Sequence, residues 1–405
     1  MSAATDNSTV PDPVSAKATE RRALGVACGA HALHDGYTDL VYVMLPIWQG
    51  EFGLGFAALG LMRTVFSGTL AGFQIPASFV AERFGAATVL ALGTALAGFG
   101  YIFAGFSSGV AGLVAALFIG GLGASTQHPL ASSLIAHAFA GDRSLKALGT
   151  YNFAGDIGKM IFPAAAALMF IVLPWRQALM ILGALGSVAA VAIFVAMPRF
   201  SDAQGPSRKD DSARGTSRAT RPFAFPLLLS VGVIDSATRM AFLTFLPFVL
   251  TAKGASVQVV GLALTLVFVG GAMGKLVCAF IGARIGAVAT VWLTETVTAL
   301  GIVSLLPLSL EAALMLLPIV GIALNGTSSV LYGSVPDLVE PSWRQRAFSI
   351  FYTGTIGAGA VSPAVYGLLG DAIGVPAALS VVAAVVLIAL PITLVLRPAL
   401  AARSS

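Results

Sequence analysis

Residues 31–40 read HALHDGYTDL, two histidines and two aspartates within ten positions, with long apolar runs on both sides. The chain around them has 405 residues, 57% hydrophobic and only 10% charged, with a mean hydropathy of +0.90. A water-soluble chain carries roughly a quarter charged residues, so the polar surface here is too small to cover a globule in water. The surrounding medium is lipid. A charged side chain at the centre of a membrane helix costs at least ~2.5–3.5 kcal/mol, so the four ionisable groups must face a wet cavity or a partner. At about 100° per residue, His31, His34, Asp35, Thr38, Asp39 and Tyr42 fall within one arc of roughly 140°. The segment reads as a membrane-spanning helix with one polar stripe.

Outward from this helix, stretches of about twenty apolar residues recur and predict twelve spans. They cover 23–48, 57–80, 87–106, 110–138, 146–172, 176–197, 223–250, 257–281, 288–308, 312–335, 346–370 and 376–396. Between the sixth and seventh lies RFSDAQGPSRKDDSARGTSRATRP (199–222), polar and rich in Ser and Arg, which reads as a flexible linker. The expected organisation is a tail (1–22), a six-helix half (23–198), the linker (199–222), a second six-helix half (223–397) and a short tail (398–405). The fold class is thus all-α integral membrane, with two pseudo-symmetric halves.

The formal charge of +5 does not point to nucleic acid, because the basic residues are distributed by loop. One set of loops holds Lys17, Arg21, Arg22, Arg83, Arg143, Lys146, the linker, Arg284, Arg344, Arg346, Arg397 and Arg403. The alternate loops hold little beyond Arg176 and Lys253. By the positive-inside rule both termini and the linker are expected in the cytoplasm of a bacterial cell, the chain crossing its inner membrane. The first 22 residues lack a basic region followed by a short apolar core, so no cleaved signal peptide is expected. Cys28 and Cys278 lie far apart in apolar segments, which excludes a disulfide framework.

An internal repeat supports the two halves. A shift of 201 places lays LPIWQGEFGLGFAALGL (45–61) on LPFVLTAKGASVQVVGL (246–262), and SFVAERFGA (78–86) on AFIGARIGA (279–287). A shift of 200 lays Lys146, Ala147 and Pro163 on Arg346, Ala347 and Pro363. Parallel halves of this kind enclose a site near the bilayer midplane.

Twelve spans, the central linker and the SFVAERFG turn resemble the major facilitator superfamily. That family's loop between spans two and three reads Gly-x-x-x-Asp-Arg-x-Gly followed by two basic residues; here Glu82, Arg83 and Gly85 match its core. Ser78 replaces the first glycine, Glu82 the aspartate, and Ala86 and Ala87 the basic pair, which implies a weakened gate latch. HALHD in span one, Pro46 after it, His128-Pro129 in STQHPLASS and NFAGDIGKMIFP (152–163) are similar to the fosmidomycin-resistance-like branch. Asp156 and Lys159 depart from that branch, which commonly has Asn and an apolar residue there. The resemblance implies export of a toxic compound.

Other charges sit inside the predicted spans. Asn152, Asp156 and Lys159 are spaced i, i+4, i+7 on one face, so Asp156 and Lys159 can pair or share an anionic substrate. Asp235 and Arg239 have i, i+4 spacing suited to a pair within span seven. Lys275 has no acidic residue within a turn, and the repeat sets it opposite Gln74. An unaccompanied mid-span lysine is the first candidate for binding an anion. Arg63, near the end of span two, reads as a snorkelling residue, and Glu295 in span nine is ambiguous. Asn325, Ser328 and Tyr332 share a face of span ten, and Tyr352 with Thr355 lies on span eleven.

Proton coupling is therefore expected at Asp35, Asp39, Asp156 and His34, with His31 read as packing. Substrate contacts are expected at Lys275, Lys159, Arg239, Gln74, His128, Asn152, Asn325, Tyr332 and Tyr352. There is no phosphate loop, GxSxG elbow or HExxH, so enzyme activity, ATP use, a cofactor and a resident metal are not expected. The leading expectation is a monomeric secondary transporter with small molecules, protons and the lipid bilayer as partners. It exports a small anionic or oxygen-rich compound by antiport; proton-driven uptake of an anion and metalloid export are the alternatives.

Overall fold

The structure, a computed structural model, describes residues 13–139, 142–199, 223–340 and 343–401. The linker, apart from its first residue, and the outermost parts of both tails lie outside the described residues. In chain order the helices are α1 (Pro13–Phe52), α2 (Phe56–Gly72), α3 (Gln74–Phe84), α4 (Ala86–Phe106), α5 (Val110–Ala124), α6 (Gln127–Ala138), α7 (Asp142–Met169) and α8 (Trp175–Ala196). The second half holds α9 (Ala224–Ala252), α10 (Val257–Ile285), α11 (Ala287–Leu305), α12 (Leu310–Ser334), α13 (Arg344–Ile373), α14 (Val375–Val386) and α15 (Ala389–Ala401).

Three predicted spans are broken, each at an identifiable place. Span two divides into α2 and α3, which meet at 43° after Gly72. Span four divides into α5 and α6, since Pro129 lacks the N–H that would pair with the Ser125 carbonyl. The hydroxyls of Ser125 and Thr126 turn back to the carbonyls of Leu122 and Gly123, at 2.7 and 3.0 Å. Span twelve divides into α14 and α15 one turn before Pro391, by the same physics. Among the described residues, nine helices or continuous pairs are long and apolar enough to cross a membrane, and the bent pair α2–α3 makes a tenth. α1 and α7, 40 and 28 residues long, are long enough to span but each carry several charges. That order fits the twelve spans read from the sequence.

The repeat is visible as geometry. Gly85 and Gly286, 201 positions apart, both end a helix at φ +83°, a backbone setting open to glycine and strained for other residues. Within the halves α1 packs on α7 and α4 on α8, while α10 packs on α12 and α9 on α13. Between the halves α2 meets α13 and α10 meets α7, two interfaces related by the repeat. Gly60 of α2 has no room for a Cβ beside the Pro363 carbonyl, and its counterpart Gly261 would meet Ala167 Cβ at 2.6 Å. These approaches seal one face of the molecule, the face opposite the chain termini. There Asp371 accepts hydrogen bonds from the backbone N–H groups of Phe56 and Ala57 at 2.7 and 2.9 Å. Gln258 donates to the Ala167 carbonyl at 3.1 Å, and Thr265 to that of Met160 at 2.9 Å. The described hydrogen bonds between the halves lie there or at mid-depth; on the terminal side the halves part around a cavity.

Candidate functional site

The cavity has a volume of about 560 Å³ and draws its walls from both halves. α1 contributes His31, Asp35, Thr38 and Asp39, four of the six residues in the stripe expected from its helical period, while His34 and Tyr42 do not line it, and α2 contributes Arg63 and Ser67. His128, Asn152, Asp156 and Lys159 come from α6 and α7; Asp235, Arg239, Lys275, Asn325, Tyr332 and Tyr352 close the other side. The four aspartates are buried, between 4% and 7% exposed. Four cations, Arg63, Lys159, Arg239 and Lys275, line the same walls, so the formal charges balance.

One chain of charges crosses between the halves. Nε2 of His31 is 3.4 Å from Oδ1 of Asp35, and Nε2 of His128 is 3.9 Å from the same oxygen. Nζ of Lys159 is 3.2 Å from Oδ2 of Asp35 and 3.9 Å from Asp156. Lys275 donates to both Asp156 oxygens at 2.7 Å. Ligand-type atoms of His31, Asp35 and His128 all lie within 4.8 Å of one another, and the cation presented to that group is the Lys159 ammonium.

A second cluster lies deeper. Arg63 donates to Ser67 Oγ at 2.6 Å and to the Tyr42 hydroxyl at 3.0 Å, and its guanidinium lies 4.6 Å from the Tyr42 ring. Asp39 is 3.9 Å from it.

Several expectations change in three dimensions. Lys275 is not free of carboxylates: its partner is Asp156, 119 residues away on the other half, beyond any scan along one helix. Lys159 therefore leans on Asp35 rather than chiefly on Asp156. Asp235 and Arg239 form no ion pair within the described residues, and Arg239 Nε makes no hydrogen bond. The guanidinium of Arg239 is thus the cavity cation with no carboxylate in ion-pair contact among those residues. Arg63 does not snorkel; at 2% exposure it is buried against Tyr42. Gln74 does not line the cavity, because the bend after Gly72 carries it away, and its Nε2 is buried without a partner. His34 is also off the cavity, bonded through Nε2 to Thr94 Oγ1 at 2.9 Å. Glu82, Arg83 and Gly85 are exposed, and Arg83 lies 5.6 Å over Phe84, with no described bond to the second half. His128, Asn152, Asn325, Tyr332 and Tyr352 do line the cavity. Both cysteines are free.

A charge-balanced cavity between two repeat-related membrane halves, sealed at one face, defines a secondary transporter. The chain belongs to the Major Facilitator Superfamily, whose family model matches residues 27–232 and 227–405. It is 25% identical over 389 residues to the "Probable sulfoacetate transporter SauU" of Cupriavidus necator, covering 88% of both chains. It is 23% identical over 360 residues to the fosmidomycin resistance protein of Escherichia coli, covering 86% of both. In fold it is similar to an inward-facing, occupied bacterial homologue of the human lysosomal transporter Spinster. That match has a TM-score of 0.78 at 16% identity, covering 94% of this chain and 97% of the other. It is similar also to the nucleoside transporter NupG, with a TM-score of 0.74 at 14% identity, covering 93% and 98%. These relatives are transporters and not enzymes.

Proposed function

We propose that the chain carries a small organic anion through the bacterial plasma membrane together with protons, by alternating access. The charge balance of the cavity is the observation that carries this reading. Four aspartates face four cations, so an entering anion leaves the buried site in excess by the negative charge it carries, two charges for sulfoacetate. Each proton taken up by the carboxylate network cancels one of them. Proton and anion then raise each other's affinity by the same factor, as linkage requires, and species that bind together travel together. Arg239, with no carboxylate in ion-pair contact among the described residues, receives the anion's oxygens, and Lys159 and Lys275 complete the contact. Asn152, Asn325, Tyr332 and Tyr352 supply hydrogen bonds around it. The sulfoacetate-transporter relative supports an anion of this size and oxygen content. The basic loops support termini in the cytoplasm, and on that reading the cavity opens inward.

The second reading is export by antiport, supported by the fosmidomycin resistance relative. Antiport requires proton and substrate to favour different states or exclude one another. Proteoliposomes offered labelled sulfoacetate outside separate the two. Cotransport predicts accumulation when the outside is acid, about tenfold per pH unit for each proton carried with the anion. Accumulation driven by an acid lumen would establish antiport instead.

A further inference from the structure

We propose that the proton carried with the anion resides on Nε2 of His31, in a hydrogen bond to Asp35, and that its arrival releases Lys159 to the anion. The assignment rests on the cotransport reading above and names the atom that carries it.

The two histidines of the opening motif are held in opposite tautomers. Nδ1 of His31 lies 2.8 Å from the Tyr151 carbonyl. A carbonyl only accepts, so Nδ1 carries the hydrogen and Nε2 of the neutral ring is a bare lone pair. That lone pair is buried, makes no hydrogen bond, and looks onto Asp35 Oδ1 at 3.4 Å. Lone pair facing carboxylate is a repulsive arrangement that one proton converts into a charge-assisted hydrogen bond. His34 is the reverse case. Thr94 gives its hydroxyl hydrogen to the Leu90 carbonyl at 2.9 Å, so its oxygen accepts from His34 Nε2 at 2.9 Å. The remaining His34 nitrogen, Nδ1, is buried with no acceptor, and a second proton there has nothing to bind. The motif therefore holds one structural histidine and one poised for a proton.

The groups around His31 set what that proton does. Tyr151 of α7 stacks on the ring at 4.0 Å, and His128 of α6 meets it edge-on at 5.2 Å. Lys159 of α7 holds the other Asp35 oxygen, with the Asp156–Lys275 pair next along the chain of charges and Arg63–Asp39 one turn further on α1. His128 is the rival site for the proton. Its side chain is 34% exposed to the cavity and 3.9 Å from Asp35, and no described bond fixes its tautomer. Once His31 donates to Oδ1, the carboxylate has less charge to offer Lys159. The ammonium is then free to turn to an anion in the cavity. This couples the two loads through one carboxylate.

The test uses the full chain in nanodiscs with histidine nitrogens labelled with ¹⁵N. The sequence has only 4 histidines, so comparison with His31→Asn assigns the signal. The asparagine amide takes the place of Nδ1 against the Tyr151 carbonyl but has nothing where Nε2 stood. His31 is expected to keep its Nδ1 proton throughout and to gain a second on Nε2 when sulfoacetate binds, while His34 keeps its hydrogen on Nε2. A bare Nδ1 on His31 overturns the assignment without any substrate, and an Nε2 that gains no proton with the anion bound overturns it with substrate. Sulfoacetate supplies the second arm, with proton uptake read by a pH indicator. The parent protein is expected to take up at least about one proton per anion bound. His31→Asn should lower that number by about one. Equal ratios in both proteins remove His31 as carrier and leave cotransport standing. Binding without proton uptake by the parent removes cotransport itself.

Discussion

Arg239 and Lys275 separate two roles that look alike in sequence. Arg239→Ala removes a cation with no carboxylate in ion-pair contact among the described residues, so the expected loss is in the ligand. Hydrogen bonds to charged groups are worth ~1.5–3 kcal/mol, and sulfoacetate affinity measured by calorimetry should fall roughly ten- to hundredfold with little change in thermal unfolding. Lys275→Ala instead strands the buried Asp156. The Lys275 side chain is 41% exposed, so the stability cost is discounted to about 1–2 kcal/mol. Adding Asp156→Asn to that variant should restore most of the lost unfolding temperature, because no orphaned charge remains. A double variant no more stable than Lys275→Ala alone would show that the pair is not what matters. At this scale the α1 stripe was legible from period alone. The partner of Lys275 was not, because it lies on another helix 119 residues away.

Helices in lipid approach each other through small residues and hold their ends with polar contacts, and both devices can be tested. Gly60→Leu would drive a side chain into the Pro363 carbonyl, and overpacking of this kind costs about 1–3 kcal/mol. Gly261→Ala meets the Ala167 side chain rather than a carbonyl and should cost less; thermal unfolding in detergent ranks the two. At the far end of α1, Glu51 receives Arg176 Nη2 and Trp175 Nε1, each at 2.5 Å. Burial alone pushes the Glu51 carboxyl up, but these hydrogen bonds and the guanidinium charge outweigh it and hold the carboxyl below its ordinary 4.5. A lowered folded value means the contact stabilises fully above that pH and is lost as pH falls through the folded value. The pair is about one-third exposed (34% and 31%), so at most ~1 kcal/mol is at stake. Acidifying below about 4.5 should therefore destabilise the parent slightly more than Glu51→Gln. Element positions were largely readable from apolar runs. The breaks in spans two, four and twelve were not, because a broken span has the same composition as a continuous one.

For the whole molecule, the 201-residue repeat announced two halves, and the structure returns that symmetry in the paired α2–α13 and α10–α7 interfaces. Which face those interfaces close was not in the sequence, since either closure satisfies the same apolar pattern. Asp371 is the residue to alter. It caps α2 from the opposite half, and loss of an N-terminal cap costs ~0.5–2 kcal/mol. Asp371→Ala should move the balance between states by roughly two- to thirtyfold toward the one open on that face. Spin-label distances across the Phe56–Asp371 seam would report the shift, and an unchanged distance distribution would show that the cap does not bias the states.

The seam is also lopsided. Ser256 caps α10 with its own hydroxyl, accepting from Val259 N at 3.4 Å. Its repeat counterpart, 201 positions earlier, is Gly55, which has no side chain to do so. One of two equivalent helices is therefore complete by itself, and the other only while the halves touch. Each opening strips the first turn of α2 to water, and each closing must find the carboxylate again. Closure of that face thus carries a helix cap with it on one side of the seam and not on the other, so the two repeat-related interfaces part at unequal cost.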